Sequence, residues 1–169
     1  MCYRFTMGYG VDLVVAKHLD HFLSQGWKVS IIFFMKDEYY LERYRKPLEE
    51  KKLFLYEVKP ADLEEVLRII RETGPDACVV HTPPFFSLME SLPSRMVKIM
   101  MDYGEPPAHL FPDREEREKL RENKIRWAAY ADRVVSISRF IQKDSGNKNT
   151  EVILIGNDHL LKPFSKLSS

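Results

Sequence analysis

The side chains able to do chemistry in this 169-residue chain sit where its apolar runs end. His81 and Thr82 follow ACVV, and an imidazole at the carboxyl end of a strand can hydrogen-bond a hydroxyl or carry a proton near neutral pH. The same histidine could equally be a structural cap. Asp102 follows MVKIMM, where a carboxylate can orient an acceptor hydroxyl or simply open the turn DYG. Ser138 and Arg139 follow RVVSI, and their hydroxyl and guanidinium could meet a phosphate, against the plainer reading of a surface salt-bridging arginine. Near the start, MGYGVD places Gly8 and Gly10 on either side of Tyr9, directly ahead of a segment with helical periodicity. Glycines admit positive φ and close backbone approach, and a helix beginning there aims unpaired N–H groups at the turn, so Gly8, Tyr9 and Gly10 form a candidate anion loop. His18 and His21 lie three apart, but no cysteine or second histidine pair joins them and no metal is expected. No pair of carboxylates stands at a spacing suited to glycoside hydrolysis.

Such residues need rigid elements behind them. Val11 to Gln25 carries Val11, Val14, Val15, His18, Leu19, Phe22 and Leu23 at helical spacing, with Gly26 as its stop. Strands are expected over KVSIIFF (Lys28 to Phe34), LFLYEV (Leu53 to Val58), ACVVHT (Ala77 to Thr82), MVKIMM (Met96 to Met101), RVVSI (Arg133 to Ile137) and TEVILI (Thr150 to Ile155). Between them, Glu38 to Lys52 reads as a helix kinked at Pro47, and Ala61 to Thr73 as a helix closed by Gly74 and Pro75. A long charged helix follows Pro112, its acidic start at Asp113, Glu115 and Glu116, its buried face at Leu120, Ile125, Trp127, Ala128 and Ala129. The charges from Glu115 to Arg126 read as its solvated face. Ser138 can cap a short helix running to Lys143. Strands alternating with helices at this spacing predict an α/β fold, a mostly parallel sheet with helices on both faces and right-handed crossovers. In such sheets ligands bind beyond the carboxyl ends of the strands, which gives weight to MGYGVD, HTPPFF and DYGEPP.

Composition narrows the class further. The 26 basic and 25 acidic side chains nearly cancel, so nothing in the overall charge implies nucleic acid. Cys2 and Cys78 are far apart, and Cys78 sits in an apolar run suited to a reduced thiol, which fits a cytoplasmic compartment. No apolar run approaches the ~20 residues of a spanning helix, and no secretory leader is expected.

GYGVDLVVAKHLDHFLSQGWKVSIIFF, PDACVVHTPPFF, ADRVVSIS and EVILIGND occur in the order and rough spacing seen in the N-terminal domain of retaining family 4 glycosyltransferases of GT-B architecture. The resemblance covers nearly the whole chain. It implies a Rossmann-like domain over residues 1–155 and an interdomain linker or tail over 156–169. It implies that Gly8 and Gly10 approach a donor diphosphate, that His81 holds or polarises the reacting sugar, that Asp102 orients the acceptor, and that Gly156 with Asp158 leads out of the domain. The partners implied are a nucleotide sugar and a carbohydrate or lipid-linked acceptor, the latter bringing the domain to a membrane surface. No cofactor is implied.

The chain departs from that pattern in three places. Only Met1 to Thr6 stand where a central apolar strand should precede the glycine loop, so the first strand is expected to be missing or a short stub, leaving a gap, an adjusted sheet or exposed edges. A loop delivered by so short a strand is expected to be poorly fixed. Met101-Asp102 stands where the family often has His-Asp, and Ile155 precedes Gly156 in place of asparagine. No C-terminal donor-binding domain is read within these residues, so activity is expected to need one, from a separate chain or from sequence lost by truncation, or to involve self-association. Two other readings follow: a non-catalytic binding or assembly module on the same fold, and a small dinucleotide enzyme. The second is disfavoured because GYG lacks the G-x-G-x-x-G spacing.

Overall fold

The computed structural model describes residues 1–2, 4–5, 10–36, 38–60, 62–104, 113–145 and 150–153. Helix α1 (Gly10–Ser24) leads into β2 (Val29–Phe33), with Gly26 at φ 78° turning the chain between them; β1 (Arg4–Phe5) precedes it and β3 (Met35–Lys36) follows after a bend. Then come α2 (Glu38–Arg43), α3 (Arg45–Glu49), β4 (Leu53–Glu57), α4 (Leu63–Thr73), β5 (Ala77–Val80) and α5 (Pro83–Phe86), which runs into a 3-10 turn (Ser87–Glu90). Strand β6 (Val97–Asp102), helix α6 (Arg114–Ala128), β7 (Arg133–Ser136), α7 (Arg139–Ser145) and β8 (Thr150–Val152) complete the order. Every described ladder is parallel. The α/β class expected from the alternation is thus the class observed, with a Rossmann-like arrangement of parallel strands between helices.

The first strand is a stub, and its placement organises the sheet. Strand β1 pairs with β3, while β2 pairs with β4 and β5 to β8 form a consecutive four-stranded ladder. Ahead of β1, Met1 and Cys2 lie between β2 and β5. The Met1 nitrogen donates to the Val79 carbonyl at 2.7 Å, the Met1 carbonyl accepts from His81 N at 2.9 Å, and Cys2 N donates to the Ile32 carbonyl at 3.0 Å. These bonds join the two halves in the order β4, β2, stub, β5, β6, β7, β8.

Apolar clusters cover the two faces. On one, Val15, Ala16 and Leu19 of α1 pack on Cys2, Phe5, Ile31, Phe33 and Leu53, with Tyr44 stacked on Phe5. On the other, Val66, Ile69 and Ile70 of α4, Phe85 and Phe86 of α5, and Ala128 of α6 pack on Ile32, Val80, Met100 and Val134. Burial of this kind, at about 25 cal/mol per Å² of apolar surface, is the main force holding helices on the sheet.

Helix α4 follows local rules throughout. Asp62 caps it by accepting from Glu65 N at 3.2 Å, and Gly74 closes it in the left-handed region at φ 54°. Elsewhere tertiary contacts redraw the expected elements. The helix over 38–52 breaks at Tyr44 rather than at Pro47, which sits in the first turn of α3 where its missing N–H is harmless. Tyr44 is buried against Phe5 and donates to Asp20 at 2.8 Å, a position a continuous helix would not give it. Strand β5 stops at Val80 rather than Thr82, and PPFF, expected as part of a loop, forms a helical turn that stacks Phe85 on Phe34 at 4.6 Å. On α6, Ile125 and Ala129 face solvent, and Lys124 lies inside with Ala128, so the charged stretch is not wholly a solvated face. Pro112 and residues 154–169, including Ile155, Gly156 and Asp158 and the expected tail, fall outside the described residues.

Candidate functional site

His81 leaves the carboxyl end of β5 toward α1 and lies almost wholly buried, at 5 % exposure. Its ring centroid is 5.4 Å from that of His18 on α1, and its Nδ1 is 2.7 Å from the Tyr103 hydroxyl, which follows β6. Burial drives the His81 pKa well below the ordinary 6.5; the nearby cationic Met1 nitrogen and His18 add to the depression. The ring is therefore neutral at pH 7. Burial also raises the Tyr103 phenol, which keeps its proton and donates it to Nδ1. That bond selects the tautomer with the proton on Nε2, and Nε2 meets no partner among the described residues. His18 is lowered by burial and by His21, and its buried Nδ1 is unpartnered. The Cys2 thiol belongs to the same face, pushed up by burial to about 11 and so protonated. What this group offers is a neutral hydrogen-bond donor, held in orientation by a phenol.

Asp102 belongs to the opposite face. Its Oδ1 accepts from Gly104 N at 2.9 Å and from the ammonium of Lys124, which reaches it from α6; both side chains are buried. Asp102 is paired across the ladder with Ser136, whose buried hydroxyl has no partner, and the Thr82 hydroxyl is likewise buried and unpartnered. Successive residues of a strand point to opposite sides, so residues 81 and 102, one and two places beyond the paired Val80 and Met100, diverge. The two residues expected to share catalysis therefore do not converge. Asp102 anchors α6 and the turn through Gly104, whose φ of 82° the carboxylate bond helps to hold.

The other expected residues scatter along the same rim. Gly10 is the first residue of α1 in ordinary helical conformation, and a Cβ there would meet nothing within 4 Å, so neither positive φ nor crowding requires glycine. This corrects the expectation of a positive-φ glycine at position 10; Gly8 and Tyr9 fall outside the described residues. The Ser138 hydroxyl caps α7 by accepting from Ile141 N at 3.1 Å. Arg139 is exposed at the first position of α7. Among the described residues no cluster of His, Cys, Asp and Glu could hold a metal, and no helix is long and apolar enough to cross a membrane.

Tyr103 and Lys124 are the partners that sequence reasoning missed. Tyr103 carried no signal beyond its place in DYG. Lys124 carried one: it stands four residues before Ala128 and four after Leu120, an inward helical position filled by a charge, which demands a buried counter-ion. No family model matches this chain, and neither a curated protein nor a solved structure matches it.

Proposed function

We propose that the chain is the acceptor-side half of a retaining glycosyltransferase, working with a C-terminal donor-binding domain to move a sugar from a nucleotide diphosphate donor to an acceptor. The observation that carries the proposal is the neutral His81, pinned through Nδ1 by Tyr103 at the carboxyl end of a parallel strand, where such sheets bind ligands. With its proton on Nε2, the imidazole donates to a sugar hydroxyl or phosphate oxygen and carries no charge into the site. Chemistry of this kind rests on positioning and on hydrogen bonds aimed at developing charge, rather than on a protein nucleophile. The amino-terminal end of α1, from Gly10, offers backbone N–H groups for the diphosphate.

Calorimetric titration with nucleoside diphosphates and nucleotide sugars tests the proposal. Saturable binding that weakens about tenfold or more in His81→Ala, and less in Tyr103→Phe, supports it. A folded protein that binds none of them removes it. Donor hydrolysis by the isolated chain is expected to be undetectable, and robust turnover would refute dependence on a second domain.

A non-catalytic binding or assembly module is favoured by one observation: Asp102 is occupied by Lys124 and faces away from His81. On that reading Asp102→Asn leaves ligand binding unchanged.

A further inference from the structure

Among the described residues the sheet ends on β8 at one side and on β4 at the other, and the two edges are built differently. Strand β8 has three residues, and Glu151 at its middle is bonded to Arg133 at 3.1 Å; shortness and charge both keep an edge from pairing. Strand β4 has neither device. It runs five residues, LFLYE, in unbroken register with β2 and without proline, and it leaves Phe54 36 % exposed. Val29 N donates to the Lys52 carbonyl and Val58 N to the Phe33 carbonyl, so along this ladder Phe54 and Tyr56 turn their N–H and C=O groups to β2. Leu53, Leu55 and Glu57 therefore turn theirs away from the sheet, where none meets a partner among the described residues. Open N–H and C=O groups along an apolar edge are a template for another strand.

The open residues stand symmetrically about Leu55, and that makes the edge complementary to itself. An antiparallel copy of β4, related by a two-fold axis through Leu55, sets Leu55 against Leu55 and Leu53 against Glu57 of the second copy. All three open residues then exchange N–H···O=C bonds at once. Centring the axis on Phe54 or Tyr56 instead leaves Glu57 or Leu53 of each copy unpaired. On the α4 side of the sheet the Leu55 register brings Phe54 opposite Tyr56 of the second copy, an aromatic pair in the closer, non-hydrogen-bonded position. The ends agree as well. Strand β4 starts next to Lys52 and ends at Glu57, so antiparallel pairing lays the basic end of one copy along the acidic end of the other, whereas parallel pairing would bring like charges together. Lys51 would stand opposite Lys59 of the second copy, but its φ of 53° turns the chain out of the strand before that pair can form.

We propose that the β4 edge is the contact between two copies of this chain, paired antiparallel about Leu55 so that their sheets join into one. The occupant is a second copy rather than an unrelated peptide because one strand supplies both halves of the pairing in a single register. With five residues of strand on each side, against the roughly 20–30 residues a side of a standard interface, the contact is weak, with a dissociation constant between about 1 μM and 1 mM. The inference does not depend on the glycosyl-transfer reading.

The test follows the full chain by sedimentation equilibrium and residue-resolved amide exchange from about 20 μM to about 1 mM. The mass is expected to rise from monomer toward dimer, and exchange at Leu53, Leu55 and Glu57, rapid at the low concentration, to slow at least about twofold at the high one. Leu55→Pro removes the open N–H at the axis and leaves the bonds of Phe54 and Tyr56 to β2 in place, and Leu55→Lys sets two ammonium groups face to face; each is expected to stay monomeric throughout. Val152→Pro, on the β8 edge, is expected to dimerise as the parent does. A chain still monomeric at about 1 mM overturns the proposal, as does a dimer whose Leu55 amide exchanges as fast as in the monomer, or one that persists in folded Leu55→Pro. Should either Leu55 variant fail to fold, exchange in the parent chain decides alone.

Discussion

Lys124 illustrates what a single buried charge does here. Its ammonium is the counter-ion of Asp102, and both are out of water. Removing one partner leaves the other uncompensated, so Lys124→Met is expected to cost about 3–5 kcal/mol in urea unfolding, and adding Asp102→Asn should restore a good part of it. His81 makes a different prediction. Its folded pKa lies well below 6.5, so in the window below 6.5 the unfolded chain binds more protons than the folded one. Stability from keeping His81 neutral is present above that window and falls with pH inside it, by at most about 1.4 kcal/mol per pH unit. The urea midpoint should drop between pH 7.5 and 5.5, and His81→Gln should flatten the drop. His18 shifts in the same direction, so some pH dependence should survive that substitution. The sequence marked His81 and Asp102 by their place after apolar runs, and both do end strands. It did not reveal that they face opposite sides, because that depends on the register of β5 against β6, a property of pairing rather than of either run.

Turns and caps are where elements are most sensitive to single changes. Gly104 has φ 82°, and a Cβ there would come within 3.1 Å of Ile141 on α7, whereas at Gly74 the φ is 54° and the nearest atom is the Arg95 guanidinium at 3.7 Å. Gly74→Ala should cost about 1 kcal/mol from backbone strain. Gly104→Ala should cost more, since the packing of α7 must also shift, and thermal unfolding of the two variants side by side checks the order. Gly10→Ala, at an unstrained helical position, should be neutral or stabilise by a few tenths of a kcal/mol; marked destabilisation would contradict the geometry of α1. The same contrast separates the elements that could be read in advance from those that could not. Helix α4 announced itself through the spacing of Leu63, Val66 and Ile70 and the stop at Gly74, all local signals, while the cap at Asp62 lies one residue inside the expected start at Ala61. The break at Tyr44 and the helical turn at PPFF are set by Phe5, Asp20 and Phe34, residues distant in the chain whose positions no window of sequence contains. Lys124 hid in a run of charges because its partner stands 22 residues away.

At the scale of the whole molecule, the sheet is two ladders held together at the Met1–Phe5 stub. The β2–β4 ladder has two strands and β5 to β8 form four; the smaller apolar cluster packs on the first alone, and the larger one on both. Native-state hydrogen exchange should therefore resolve two blocks, with Ile31 and Tyr56 opening at lower free energy than Met100 and Val134, and a single common opening energy would argue against it. The bonds at the stub carry a consequence for assembly during synthesis. The Met1 nitrogen is bonded to a carbonyl 78 residues further along, so the stub has no place to settle until β5 has been made. At about 5–20 residues per second, the stub waits roughly 4–16 seconds beyond the peptidyl-transferase centre, longer once the exit tunnel is counted. During that interval its apolar residues and the inner edge of β2 are open to any nascent-chain chaperone at the ribosome, and closure of the sheet comes as a late, long-range step.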